Sequence, residues 1–416
     1  MGAPWGAAAH FHAPDPSTRT AVIRDPAEAL RVALEGVLAI PFSSGNRVEA
    51  LLNGNEIFPA MLTSIEHAKQ SIDFETFVFW KGNIATRFVT ALSEAAQRGA
   101  QVRVLLDAVG SMPMTADDRG VLVESGVLFV SFRPIPRWRF WEVDHRTHRK
   151  ILVCDDEGFT GGVGIGEEWT GDARAPDEWR ETQFRIRGPA VALLRATFLE
   201  HWVEGFAFAD AGELARALTP PARARPEAED PGSCLIQVVP SAAAVGWSRV
   251  ELVLHCLLAN ARRRVRITTA YFVPDDSLLG QLCSAAHRGV EVEILLPGTH
   301  TDQRSSQLAG EDVYARLLES GVRIYRYEPT MLHTKVVTVD GELSLIGSAN
   351  FNHRSLLKDD EICLNVLDRE LTARLDRDFD ADRAEARAVD ASERWDRRSI
   401  PQRIGESLAR LVRRQL

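Results

Sequence analysis

His148-Arg149-Lys150 and His333-Thr334-Lys335 are two copies of one chemical device. In each, an imidazole and an ammonium stand two residues apart, followed by an acid (Asp155, Asp340) and a glycine turn (Gly161-Gly162, Gly347-Ser348). A strand alternates its side chains between faces, so each His and its Lys point the same way. Brought face to face, the copies would offer two imidazoles and two cations to one anion. Imidazole near neutral pH is a nucleophile, an acid or a base, and lysines neutralise the charge that grows on oxygen in a transition state. The set predicts chemistry on a phosphate diester. One His attacks; the other protonates the departing alkoxide and then deprotonates the acceptor hydroxyl. The residues alone do not rank the two.

Supporting groups follow from the same logic. Ser348 and Asn350 add donors beside the second lysine, and the turn glycines Gly162 and Gly347 are expected on the substrate side. Each His needs an acid to fix its tautomer. Glu181, in Trp179-Arg180-Glu181-Thr182, and Glu361, in Asp359-Asp360-Glu361, lie at similar distances beyond their motifs. Asp155 and Asp340 are expected to hold the turn after each motif strand through backbone N–H groups. No metal or other cofactor is called for, because the two lysines supply the positive charge a metal would bring.

The motifs sit in a longer repeat. Ala68 to Phe79 is echoed by Ala261 to Phe272, Ala95 to Leu106 by Ala285 to Leu296, and Glu124-Ser-Gly-Val127 by Glu319-Ser-Gly-Val322. Order and offset are kept, as a gene duplication would leave them. Within each half an apolar 3.6-residue period (Phe58, Met61, Leu62, Ile65) runs into a β-branched and aromatic strand. A second helix ends at Arg98-Gly99, where glycine suits a left-handed cap. Strands alternating with helices predict two α/β domains with mixed sheets, and an active site at the interface between the halves. The divisions expected are a tail and short helix over 1–37, a first domain over 38–215, a linker over 216–232, a second domain over 233–390 and a basic amphipathic tail over 391–416. The linker is placed by its run of prolines and charges.

Bulk properties narrow the class. A net charge of −9 disfavours a dedicated nucleic-acid binder. No apolar run approaches the ~20 residues of a membrane span. Five scattered cysteines without C-x-x-C spacing predict buried free thiols and a cytoplasmic setting.

The paired motif resembles the signature of the phospholipase D superfamily, H-x-K-x4-D-x6-G-[GS]-x-N in two copies. The likeness covers roughly residues 38 to 390. Phe58-Pro-Ala-Met61, Leu105 to Ser111, Thr147 to Val153, Trp179 to Thr182, Tyr271-Phe-Val-Pro274, Met331 to Lys335 and Gly347 to Phe351 are similar to bacterial cardiolipin synthases of the membrane-associated kind. That resemblance implies a two-step transfer through a phosphohistidine, with His148 as nucleophile and His333 as acid and then base. Phosphatidylglycerol would be donor and acceptor, giving cardiolipin and glycerol. A hydrolase releasing phosphatidic acid, a nucleic-acid phosphodiesterase and an inactive scaffold are the alternatives. Two departures mark the first motif: Gly164 stands where the family has Asn, and Glu181 where it has Asp, a longer arm expected to reach His148.

Two segments suggest contact with an anionic lipid surface on the inner side of a membrane, with no protein partner. Arg133, Arg137, Trp138, Arg139, Phe140, Trp141 and Arg146 mix charge with aromatics, and Arg146 and Trp141 are expected at the headgroup. Near the C-terminus Ile404, Leu408, Leu411 and Val412 share a helical face beside Arg403, Arg410, Arg413 and Arg414.

Overall fold

The computed structural model describes residues 25–134, 145–206, 232–242 and 248–390. The expected linker, Trp141 with the core of the basic aromatic segment, and the C-terminal tail lie outside these residues.

The duplication is visible strand for strand. In the first half β1 (Ser43–Leu52), β2 (Ser71–Thr76), β3 (Gln101–Asp107), β4 (Leu128–Phe132), β5 (Ile151–Cys154), β6 (Glu157–Gly161) and β7 (Thr182–Arg187) pair in the order β1-β7-β6-β5-β2-β3-β4. The second half comprises β8 (Cys234–Ser241), β9 (Arg264–Thr268), β10 (Phe272–Val273), β11 (Glu291–Pro297), β12 (Arg323–Tyr327), β13 (Val336–Val339), β14 (Leu343–Gly347), β15 (Phe351–Asn352), β16 (Glu361–Leu367) and β17 (Ala386–Ala388). Its main strands run β8-β16-β14-β13-β9-β11-β12, with β17 added at the edge. Each set has parallel pairs from its strand–helix–strand units (β2 with β3, β9 with β11) and antiparallel pairs around the motif strand. The halves meet where β1 pairs antiparallel with β8, through a register shift between Ser43 and Asn46. The architecture is the duplicated mixed α/β arrangement the sequence predicts.

Local signals explain the repeat. Gly99 and Gly289 end equivalent helices with φ of 96° and 89°, a left-handed cap that costs a residue with a Cβ about 1–2 kcal/mol. The arginine before each glycine reaches back to the end of the preceding helix: Arg98 donates to the carbonyls of Ile65 and Glu66, and Arg288 to that of Leu258. The motif strands β5 and β13 are buried along their whole length. Only their N-terminal ends, carrying His and Lys, are free to face a cleft.

Each half has its own apolar core, and a third cluster joins them. Ile151, Val153, Phe184 and Ile186 of the first half pack with Val336, Ile346, Ile362 and Leu364 of the second. The helix Pro26–Leu38 adds Leu30, Leu34 and Leu38 to the core of the second half, beside Val250 and Leu254. All five cysteines are buried and free. No described helix is long and apolar enough to cross a membrane.

Candidate active site

Backbone pairing between the halves comes first, because it decides which acid each histidine meets. Thr147 forms a parallel bridge with Asp360, and Leu332 forms one with Arg180. The His148 N–H donates to the Asp360 carbonyl at 2.8 Å, and the His333 N–H to the Arg180 carbonyl at 2.8 Å. Each histidine is therefore stapled beside the residue preceding the other half's acid.

The side chains follow. His148 Nδ1 lies 2.9 and 3.0 Å from the two oxygens of Glu361, and His333 Nδ1 lies 2.6 Å from Glu181 Oε2. The expectation that Glu181 reaches His148 is thus corrected: the dyads are crossed. Sequence distance favours a partner in the same half, but the bridges bring the opposite strand start closer. An ionised carboxylate only accepts, so beside one each histidine donates Nδ1–H and keeps its lone pair on Nε2.

The lysines close the site. Lys150 Nζ donates to the His148 carbonyl at 2.9 Å. Lys335 Nζ donates to the His333 carbonyl and sits 3.1 and 3.2 Å from the two nitrogens of the His333 ring. Arg149, between His148 and Lys150, points the other way and donates to the Thr197 carbonyl, as strand alternation requires. His148 is the most accessible member, with a side chain 15% exposed against 6% for His333.

Burial and crowding of like charge set the electrostatics. Burial lowers Lys150 to about 7, although Glu361 opposes it, and lowers Lys335 to about 8 against the pull of Glu181. Burial, then Lys335 and Lys150, push His333 well below the ordinary imidazole value. His148 is lowered chiefly by burial, with Glu361 opposing.

The two acids differ for a reason legible at their neighbours. Ser348 Oγ donates to Glu361 Oε2 at 2.5 Å and accepts from the Ile362 N–H at 3.0 Å. Burial raises the Glu361 carboxyl, but His148, Lys150 and Ser348 outweigh it and hold the group below the usual range. Gly162 occupies the position equivalent to Ser348, so Glu181 has no such hydroxyl. A Cβ on Gly162 would lie 2.4 Å from Glu181 Oε2; the longer acid fills the space a side chain would take. Burial raises Glu181 to about 7, against the opposing pull of Lys335 and of the Thr182 N–H, which donates to its Oε1.

The Asn-to-Gly departure has an equally concrete cause. A Cβ on Gly164 would meet Val78 Cβ at 2.8 Å and the Trp169 ring at 3.0 Å. Trp169 fills the place of the missing side chain and packs against the His333 ring, centroids 5.3 Å apart, together with Trp179 at 5.1 Å. This aromatic wall was not foreseen from the sequence, because Trp169 and Trp179 carry no spacing signal that links them to His333. In the second half Asn350 is buried, and its Oδ1 has no hydrogen-bond partner. Replacing Gly164 with Asn is expected to lower stability by about 1–3 kcal/mol through overpacking, read as a drop in thermal midpoint.

The remaining predicted residues are placed as follows. Gly347 has φ of 149°, and a Cβ there would lie 2.2 Å from the Ile362 carbonyl; it allows close strand approach behind Ser348. Asp155 and Asp340 sit at the far end of their strands. Asp155 accepts from the N–H groups of Lys69, Gln70 and Ser71, and Asp340 from those of Arg262, Arg263 and Arg264, at 2.7–2.9 Å. Asp340→Ala is therefore expected to cost about 2–3 kcal/mol of folding stability in a denaturant titration, with kcat in the folded fraction unchanged. Arg146 is corrected from the headgroup to the interior. It is 2% exposed, with its guanidinium on Asp107 and on the carbonyls of Arg133 and Phe132. Four of its five N–H donors are taken by these protein acceptors, so its role is to hold the chain ahead of the motif.

Comparison with known proteins identifies the family. Residues 61–202 and 254–383, one segment in each half, match the family described as "Cardiolipin synthase, PLD-like domain". Cardiolipin synthase 2 of Bacillus anthracis is 34% identical over 382 residues, which span 91% of this chain and 72% of that protein. Cardiolipin synthase A of Pseudomonas putida is 33% identical over 92% of this chain and 78% of its own length. Among solved structures, the phosphatidylserine synthase of Haemophilus influenzae shares the fold, with a TM-score of 0.72 at 18% identity over 93% of this chain and 100% of that one. With both halves matched and relatives this similar along nine-tenths of its length, the chain belongs to the phospholipase D-like cardiolipin synthase family of enzymes.

Proposed function

We propose that the protein transfers a phosphatidyl group from one phosphatidylglycerol to a second, forming cardiolipin and releasing glycerol by way of a phosphohistidine. The observation that carries this reading is the pair of crossed dyads closing on two buried lysines, in a chain whose relatives are cardiolipin synthases.

His148 is assigned as the nucleophile. Its acid is held below the usual carboxylate range by His148 itself, Lys150 and Ser348, which fixes Nδ1–H and leaves the lone pair on Nε2, and it is the more accessible ring. In the first step Nε2 attacks phosphorus, the P–O bond to glycerol breaks, and His333 gives the alkoxide a proton. In the second step His333 takes the proton of the acceptor hydroxyl, whose oxygen displaces Nε2 from phosphorus. Lys150 and Lys335 neutralise the phosphoryl oxygens in both steps, and Asn350 adds a donor through its amide. Burial, then the charges of Lys335 and Lys150, hold the His333 imidazole well below its ordinary value. An anionic diester between the lysines offsets that charge and favours the protonated acid the first step needs.

This arrangement has a pH signature. The lysines must be charged to bind a diester, and they lose their protons as pH rises through about 7 to 8. The free enzyme's kcat/KM is therefore expected to fall on the alkaline side of that window, measured with vesicles of constant composition. The protein would act as a peripheral enzyme at an anionic lipid surface.

The deciding experiment is mass spectrometry of lipids after incubation of the protein with phosphatidylglycerol vesicles, with His333→Ala as control. Cardiolipin and glycerol, absent in the control, are expected. Phosphatidic acid instead of cardiolipin would make water the acceptor, and an unchanged lipid pool would overturn the reading.

A further inference from the structure

The aspartate ahead of Glu361 opens onto a second polar cluster that the reaction steps do not use. Asp360 is 1% exposed, and its carboxylate lies 3.2 Å from His201 Nε2 and 2.7 Å from Arg133 Nη1. His201, on the helix Ala190–Phe206 of the first half, turns its other nitrogen, Nδ1, to Glu75 Oε1 at 2.6 Å. The same oxygen accepts from the Thr147 hydroxyl at 2.6 Å, and Thr147 immediately precedes His148. The ring is buried and stacked on Phe132, with centroids 4.7 Å apart.

Both nitrogens of His201 thus face carboxylates, which can only accept. A neutral imidazole has one N–H and one lone pair, so it can satisfy one of them; the imidazolium satisfies both. The charged groups around it are Glu75 from β2, Asp360 and Arg133 from the two connecting segments, and Arg149 from the entry to β5. Arg149 is paired with Glu200, and Arg133 is shared with Glu204, both on the helix of His201. Burial and Arg149 pull the imidazole down; Glu75 and Asp360 outweigh them and hold it above its ordinary value.

The other dyad has a counterpart of different chemistry. Arg180, ahead of Glu181, binds Asp382 at 3.0 Å on the helix Arg369–Ala384 of the second half. Each acid is therefore preceded by a charged residue tied to a helix of the opposite half. On the His333 side the tie is arginine to aspartate, which keeps its charge at alkaline pH. On the His148 side it is a histidine that can lose its proton.

We propose that His201, as an imidazolium, is a positioning residue that clamps the His148–Glu361 dyad across the two halves, and that its deprotonation releases this dyad alone. Through Glu75 and Thr147 it holds the main chain of His148; through Asp360 it holds Glu361. Without the second proton a lone pair faces a carboxylate within a buried cluster, and one of the two links opens. The kinetic consequence rests on the assignment of His148 and Glu361 above, whereas the protonation state does not.

Two measurements test this. Nitrogen-15 NMR of the intact, histidine-labelled protein, with His201 assigned by loss of its signal in His201→Gln, reads the ring directly. Imidazolium shifts on both nitrogens are expected to persist above the ordinary imidazole value of about 6.5, with the transition moving to lower pH in Asp360→Asn; a neutral tautomer at or below that value overturns the clamp. In lipid turnover, His201→Gln and Asp360→Asn should each lower kcat roughly tenfold with KM unchanged, and the double variant should be no slower than the worse single one. Losses that multiply in the double variant would refute a shared clamp. If the variants fail to fold, His201 is assigned in the wild-type protein by through-bond correlation to its own backbone, and that spectrum still decides. A protonated His201 in a protein that makes no cardiolipin would support the clamp and sink the transferase reading instead.

Discussion

Alanine at His148 removes turnover and the covalent intermediate together, whereas alanine at His333 removes turnover but leaves the intermediate reachable. Loss of the nucleophile is expected to cost roughly 10^4-fold or more in kcat, since the other imidazole of the site, His333, is committed to acid and base work and all five cysteines are buried. Loss of the acid costs about 10^2–10^4-fold with phosphatidylglycerol, whose alkoxide leaves poorly without a proton. A phosphodiester with a nitrophenyl leaving group needs no such proton. With it, His333→Ala should form the phosphohistidine and stall there, because the base for the second step is also gone. Acid-labile labelling of the protein by radioactive substrate reads this out. Label on His148→Ala, or none on His333→Ala with the activated substrate, would reverse the assignment.

The second large effect comes from the acids, and it is unequal. Glu361→Gln is expected to lower kcat about 10^3–10^4-fold, the scale seen when a histidine loses the carboxylate that fixes its tautomer. The change acts on His148, so the formation of the phosphohistidine slows even with the activated leaving group. Glu181→Gln is expected to cost only about tenfold near pH 7. Burial already raises Glu181 to about 7, so a neutral amide replaces a group that is itself partly neutral. Its effect should fall on the step that uses His333. Stopped reactions that separate the two steps distinguish these outcomes. If Glu181→Gln blocked phosphohistidine formation and Glu361→Gln did not, the crossed pairing seen in the structure would not be the one that operates.

How these groups are held differs from the usual picture of a buried charge cluster. Four basic side chains and two acids share one buried site, and each lysine lies near an acid of the opposite half. Removing one partner leaves an uncompensated buried charge, which commonly costs about 3–5 kcal/mol. The alanine and glutamine variants therefore need a folding control, such as a thermal midpoint, beside each rate.

Much of this protein can be read from its sequence. The repeat, the glycine-capped helices at Gly99 and Gly289, the all-apolar motif strands and the two H-x-K pairs follow from local periodicity and residue type, which act over a few neighbours and survive duplication. They determine two α/β halves and name the histidines, the lysines and both acids. The pairing of those residues was decided elsewhere. His148 with Glu361 and His333 with Glu181 are set by the bridges Thr147–Asp360 and Leu332–Arg180, contacts between chain segments about 150–210 positions apart that no local pattern encodes. The same holds for Arg146, whose charge suggested a headgroup but whose place beside Asp107 is a matter of packing, and for Trp169, which fills the space at Gly164. Local chemistry chose the reacting groups; the docking of one half on the other chose their partners, because only there do strand starts from both halves come within hydrogen-bond reach.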